Sequence, residues 1–241
     1  MTNTSMSTVT TETKVTIGIL VITLILLVVG ITTFKGSING DPAKDLAQYI
    51  QTDLHFDPAK VAPVGRPQVT GTSTTASASS SIIRVTEFMD YECPACASVG
   101  EPLVKQMIDT YGKRIIITRR IFPVHGEPAV EVARMVLASQ NISPEAYQKL
   151  HNKVFETQES WAPLGKAERV AFFRNLTKDL GLNYDTLVAI GKSQYAKQID
   201  EDKAAAVDLG IRATPSFIIN NTTRVTGGIG MEYIKDYFEK N

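Results

Sequence analysis

Cysteine is nearly absent from this chain: there are two in 241 residues, both in the stretch Cys93-Pro94-Ala95-Cys96. Two cysteines cannot build the disulfide framework of a small stapled scaffold, and their confinement to one C-x-x-C points to chemistry rather than stapling. Histidine is scarce as well, with only His55, His125 and His151. A zinc site built on the two sulfurs would need two more good ligands, and few are on offer. Net charge is also missing: 25 Lys+Arg balance 25 Asp+Glu, so the basic footprint of a nucleic-acid binder is absent. There is no internal repeat. What the chain does have is a hydrophobic fraction of 43%, enough for a core, and an uneven distribution of it.

Residues 1–14 form a Thr-rich polar tail. Residues 15–34 (VTIGILVITLILLVVGITTF) carry no charge over about 30 Å of helical rise, the length of a bilayer core. The barely basic start, the long apolar run and the lack of an A-x-A-like site favour an uncleaved single-pass anchor over a cleaved signal peptide. Lys14 lies on one side of this run and Lys35 and Lys44 on the other, so charge leaves the orientation open. Residues 35–81 read as a tether, with a short helix at 41–51 capped by Asp41 and begun by Pro42. Its end, Thr70 to Ser81, is of low complexity.

The pattern becomes regular from Ile82. Residues 82–89 read as a buried strand, and Val99, Leu103, Val104, Met107 and Ile108 recur at helical spacing after the cysteines. Residues 114–121 read as a second strand. A run of helices follows over about 126–210, with Ser143 and Asn183 as N-caps and Gly181 and Gly210 as stops. The chain closes with a hairpin (216–220 and 224–226, turning at Asn220-Asn221), a Gly227-Gly228 loop and a helix from Met231. This is an α/β domain with a helical insertion. At its strand-to-helix turn, Cys93 would lie where free N–H groups and the helix dipole stabilise a thiolate, the form that attacks disulfides. Pro94 suits the first helical turn. Pro102 offends helix propensity. His125 reads as a plain loop histidine, and Tyr147 and Trp161 as core.

Residues 82–241 resemble the DsbA-like thiol–disulfide oxidoreductases of the thioredoxin superfamily. Four segments carry the resemblance: Val85-Thr-Glu-Phe88 leading into Cys93-Pro-Ala-Cys96; Phe122-Pro-Val-His125 opening the insertion; Leu209-Gly-Ile-Arg-Ala-Thr-Pro-Ser-Phe217; and Gly227-Gly228 before the last helix. The resemblance implies a thioredoxin-like fold with an inserted helical subdomain. It makes Cys93 the exposed nucleophile, Cys96 the buried resolving cysteine and Pro215 a cis-proline facing them. Glu87 becomes a buried acid relaying the proton of Cys96. Pro94, Ala95 and the Thr214 backbone would meet an extended substrate. The Pro-Ala dipeptide departs from the Pro-His of the family's strong oxidant, which suggests a milder one.

The expected activity is oxidation of cysteine-containing secreted or cell-envelope proteins by the Cys93–Cys96 disulfide, with no diffusible cofactor and no metal. A quinone-linked membrane partner would reoxidise the pair, and the catalytic domain would lie outside the cytoplasmic membrane. Two alternatives stay open: a reductase or isomerase on the same fold, and a tethered metal- or protein-binding module without redox turnover.

Overall fold

The largely apolar runs at 83–89 and 115–121 become two adjacent inner strands of a six-stranded sheet. A computed structural model describes residues 49–71 and 82–240, and the chain from Tyr49 onward is one compact unit. The strands are β1 (Ile50–Gln51), β2 (Gln68–Thr70), β3 (Ile83–Met89), β4 (Ile115–Ile121), β5 (Ser216–Ile219) and β6 (Thr223–Thr226), in the order β1-β6-β5-β3-β4-β2. Only β3 and β4 are parallel; the other pairings are antiparallel. β3 is buried along almost its whole length, and Thr86 and Glu87 are buried among its apolar residues. Its register sets Glu87 beside Arg119 on β4 and Phe217 on β5.

The helices are α1 (Pro58–Val61), α2 (Glu101–Tyr111), α3 (Glu127–Ala138), α4 (Pro144–Glu156), α5 (Gln158–Trp161), α6 (Lys166–Asp179), α7 (Tyr184–Ile190), α8 (Ala196–Asp208) and α9 (Met231–Lys240). Those between β4 and β5, α3 to α8, form the expected insertion. Its caps fall where the sequence placed them: Ser143 accepts from Ala146 N at 3.0 Å and Asn183 from Thr186 N at 2.9 Å. Gly181 and Gly210 stop α6 and α8 with φ of +72° and +71°. Trp161 and Tyr147 are buried as expected. The core of the insertion is continuous with Met89, Tyr91, Cys93 and Cys96, so the cysteines lie where the sheet meets the helices.

The folded unit begins well before Ile82. Residues 49–71, expected as tether, are ordered, and Ile50–Gln51 is a strand rather than the end of a helix. β1 covers the free edge of β6 and β2 covers that of β4, so this segment protects both sheet edges from pairing with other chains. It is held by Val61, buried against Phe88, Leu209 and Ile218, and by charge. Asp202 on α8 is fully buried, and its Oδ1 accepts 2.8 Å hydrogen bonds from Nε of both Arg66 and Arg120. Strands of two and three residues are too short to show a period, which is why the sequence hid them. The anchor proposed for 15–34, the 41–48 part of the short helix and the 72–81 part of the tether lie outside the described residues. Among the described residues no helix is long and apolar enough to cross a membrane.

Candidate active site

The turn after β3 is built by side chains that arrive from far away in sequence. Asp90, fully buried, accepts from Glu92 N at 2.9 Å through Oδ1. Through Oδ2 it accepts from Val124 N at 2.8 Å and His125 N at 3.1 Å, with His125 Nδ1 at 2.7 Å. Gln158 Nε2 donates to the carbonyls of Tyr91 (2.8 Å) and Cys93 (2.9 Å). These bonds fix where the helix carrying the cysteines begins.

Pro94 and Ala95 form the first helical residues, after which the helix widens into a π turn at Cys96–Gly100, where Glu101 N bonds to Cys96 O. Pro102 follows directly and cannot donate to Ser98 O. The wide turn absorbs that loss, and α2 restarts with Pro102 in its first turn. Gly100 lets the turn pack closely: a Cβ there would sit 3.2 Å from Pro215 Cβ and 3.4 Å from Glu87 Oε1, so a neighbour would have to give way slightly. The Thr214–Pro215 bond is cis, as expected.

Cys93 and Cys96 are both free thiols, so this is the dithiol form. Cys96 is completely buried, but Cys93, expected to be exposed, is only 5% accessible. The cis-proline loop lies over it, and its Sγ donates to Thr214 O at 3.4 Å. Thr214 is itself 9% exposed, and its carbonyl is occupied by this contact in the dithiol form. Pro94 is exposed and Ala95 half-buried, forming the rim.

The two sulfurs are electrostatically unlike. Cys93 is brought down from 9.0 to about 5, first by hydrogen bonding from Cys96 against the cost of burial, then by the Thr214 side chain and the N–H groups of Cys96 and Ala95. Burial, followed by the neighbouring Cys93, pushes Cys96 far above the normal thiol range. Burial opposes protonation of His125, yet Asp90 and the charge of Cys93 raise its pKa. Its imidazole therefore feels the charge of the thiolate, beside a Pro-Ala dipeptide that carries no imidazole of its own.

Glu87 is where the sequence placed it, wholly buried, with Cys96 among the groups that feel its charge. Burial, with Glu101 second, raises its pKa to about 8, while Arg119 opposes. Arg119 Nε stands 3.5 Å from Glu87 Oε2, a charge contact in which neither Glu87 oxygen makes a hydrogen bond. The reading from sequence missed Arg119, Glu101, His151, Gln158 and the Asp90–His125 pair. The one available signal was two arginines inside an otherwise apolar strand.

A thiolate held at a helix start, a buried sulfur that favours its proton and a neutral acid beside it can exchange a disulfide and manage the proton this releases or takes up. The sequence model of the Thioredoxin family matches residues 71–237. The chain belongs to the thioredoxin family. Disulfide bond formation protein D of Bacillus subtilis is 26% identical over 170 residues, covering 66% of this chain and 72% of that protein. A solved thioredoxin-like oxidoreductase from Silicibacter pomeroyi matches with TM-score 0.61 at 22% identity, over 77% of this chain and 97% of the other. The thiol-disulfide exchange protein alpha-DsbA2 from Wolbachia pipientis matches with TM-score 0.60 at 19% identity, over 76% and 90%. These likenesses agree with a thioredoxin fold carrying a helical insertion. With the dithiol geometry, family membership makes this protein a thiol–disulfide oxidoreductase.

Proposed function

We propose that the protein is a disulfide oxidase of DsbA type, acting on cysteine-containing secreted or cell-envelope proteins. The observation that carries this reading is the inequality of the two sulfurs. A reduced form that holds Cys93 as a stabilised thiolate is the favoured product, so the disulfide form gives up its bond readily.

In the forward cycle a substrate thiolate attacks Cys93 Sγ of the Cys93–Cys96 disulfide. That bond breaks, a substrate–Cys93 bond forms, and Cys96 leaves with the electron pair and takes the proton of Glu87. A second substrate thiolate attacks the substrate sulfur of this mixed disulfide and expels Cys93 as a thiolate. The substrate has been oxidised to a disulfide and the enzyme reduced to a dithiol. Substrate enters past Pro94, Ala95 and the Thr214–Pro215 loop.

The 15–34 segment anchors the domain outside the cytoplasmic membrane, where a quinone-linked membrane partner takes the two electrons and restores the disulfide; no other cofactor takes part. The test is to mix the oxidised protein with a reduced, unfolded substrate and follow loss of substrate thiols. Stoichiometric oxidation that is abolished by Cys93→Ser supports the oxidase. Absence of substrate oxidation, with catalysed reduction of insulin by added dithiol, would identify a reductase instead.

A further inference from the structure

Two carboxylates compete for one guanidinium beneath the cysteines, and the outcome decides which of them keeps a proton. Arg119 Nη2 bonds Glu101 Oε2 at 3.3 Å and Nη1 bonds Gln148 Oε1 at 3.0 Å. Only Nε is left for Glu87, at 3.5 Å and without a hydrogen bond. A wholly buried carboxylate needs well-made hydrogen bonds to stay ionised, and Glu87 has none. Glu101 differs: it is 18% exposed and lines a groove of 580 Å³ together with Asn152 and Gln148. Its other oxygen accepts from His151 Nε2 at 2.9 Å, while His151 Nδ1 accepts from the Tyr91 hydroxyl at 2.9 Å.

Burial and the charge of Arg119 hold His151 below its ordinary pKa, which suits a neutral imidazole passing one hydrogen bond along. Although burial opposes it, the contacts with His151 and Arg119 bring Glu101 down to about 2. The π turn is what brings Glu101 here. An ordinary helical turn at 96–100 would rotate residue 101 by about 100° around the helix axis.

We infer that Glu101, held by the Tyr91–His151 pair, is a positioning residue that draws Arg119 away from Glu87 and so keeps Glu87 loaded with the proton Cys96 needs. Glu101 from α2 and Arg119 from β4 act on Glu87, whereas Cys96 from the π turn and Tyr147 from α4 feel its charge and are themselves neutral where it titrates; β5 sets the uncharged Phe217 beside it. The inference rests on the proposed role of Glu87 as the proton partner of Cys96.

The test is infrared titration of the protonated carboxyl band of Glu87, identified by its loss in Glu87→Gln, in the full chain. The wild type should keep the band at pH 7 and lose it near pH 8. Glu101→Gln should keep no more than half of it at pH 7, a fall of at least one pH unit in the midpoint, and Glu101→Asp should restore it. His151→Phe, which removes the donor and leaves both carboxylates in place, should move the midpoint the same way by less, and covers the case in which Glu101→Gln does not fold. A band at pH 7 unchanged in the folded variants would overturn the inference. The underlying role is tested separately by reduction of the disulfide form with glutathione at pH 7. Glu87→Gln should slow it on the order of 10²-fold, the usual contribution of a positioned acid, and an unchanged rate would remove that role whatever Glu101 does.

Discussion

Replacing Thr214 by valine removes one hydroxyl from the site and leaves the shape almost unchanged. In the dithiol form Thr214 Oγ1 is buried without a hydrogen-bond partner, so the native fold of that form loses no bond. The hydroxyl acts when Cys93 is ionised, as the second of the interactions that lower its pKa. A hydrogen bond to a charged group contributes about 1.5–3 kcal/mol. At the edge of the site the lower end applies, which is about one pKa unit. Cys93 should therefore move from about 5 to about 6 in Thr214→Val. At pH 7 the thiolate-to-thiol ratio falls from about 100 to about 10. This destabilises the reduced form by about 1.3 kcal/mol and makes the protein about 30 mV more reducing. The ultraviolet absorbance of the thiolate, titrated in the reduced protein, reads the pKa directly. A midpoint that stays put or falls would refute the assignment of Thr214 as a donor to the thiolate.

Glu87 and Cys93 should have opposite effects on stability over nearly the same pH range. Glu87 is raised from 4.5 to about 8, so the folded state binds the extra proton and stability falls as pH rises between these values. Cys93 is lowered from 9.0 to about 5, so here the unfolded state binds the extra proton and stability rises from about pH 5 to 9. The reduced wild type should therefore be nearly flat in urea unfolding between pH 5 and 8, whereas reduced Glu87→Gln should gain roughly 1.4 kcal/mol per pH unit; parallel curves would contradict the assignment of Glu87, and a flat variant that of Cys93. A chain begun at Ile82 lacks β1, β2 and the Arg66–Asp202 ion pair, and leaves both sheet edges bare. It should unfold at lower temperature and self-associate in light scattering, while a chain begun at Tyr49 stays monodisperse; equal behaviour would show the edge strands to be dispensable.

The parts of this protein legible in the sequence are those whose signal is local. β3 and β4 announce themselves as apolar runs, the helices of the insertion by their period and caps, and Cys93, Cys96, Glu87 and Pro215 by motif and spacing. The structure gathers these four residues together. The parts that were not legible depend on partners distant in sequence. His151 reaches Glu101 across 50 residues and Gln158 reaches Cys93 across 65, and no window of sequence contains both ends. The edge strands failed for a different reason, being too short for alternation to register. Asp57 and Pro58 did offer a helix start there, with Asp57 accepting from Ala59 N at 2.9 Å. The accessibility of Cys93 was misjudged because the cis-proline loop, expected to face the cysteines, packs closely enough to cover the first of them.

The reduction potential of the Cys93–Cys96 pair, equilibrated against glutathione in a chain begun at Tyr49, separates an oxidase from a reductase. A nucleophile with pKa about 5, against about 7 in thioredoxin, stabilises the reduced form at pH 7 by about 2.3 kcal/mol, or about 50 mV. Water at the mouth of the site screens part of this, and His125 acts in the same direction. A potential of about −220 mV or higher is expected. A value at or below about −270 mV, the range of thioredoxin itself, would contradict it and favour a protein supplied with electrons.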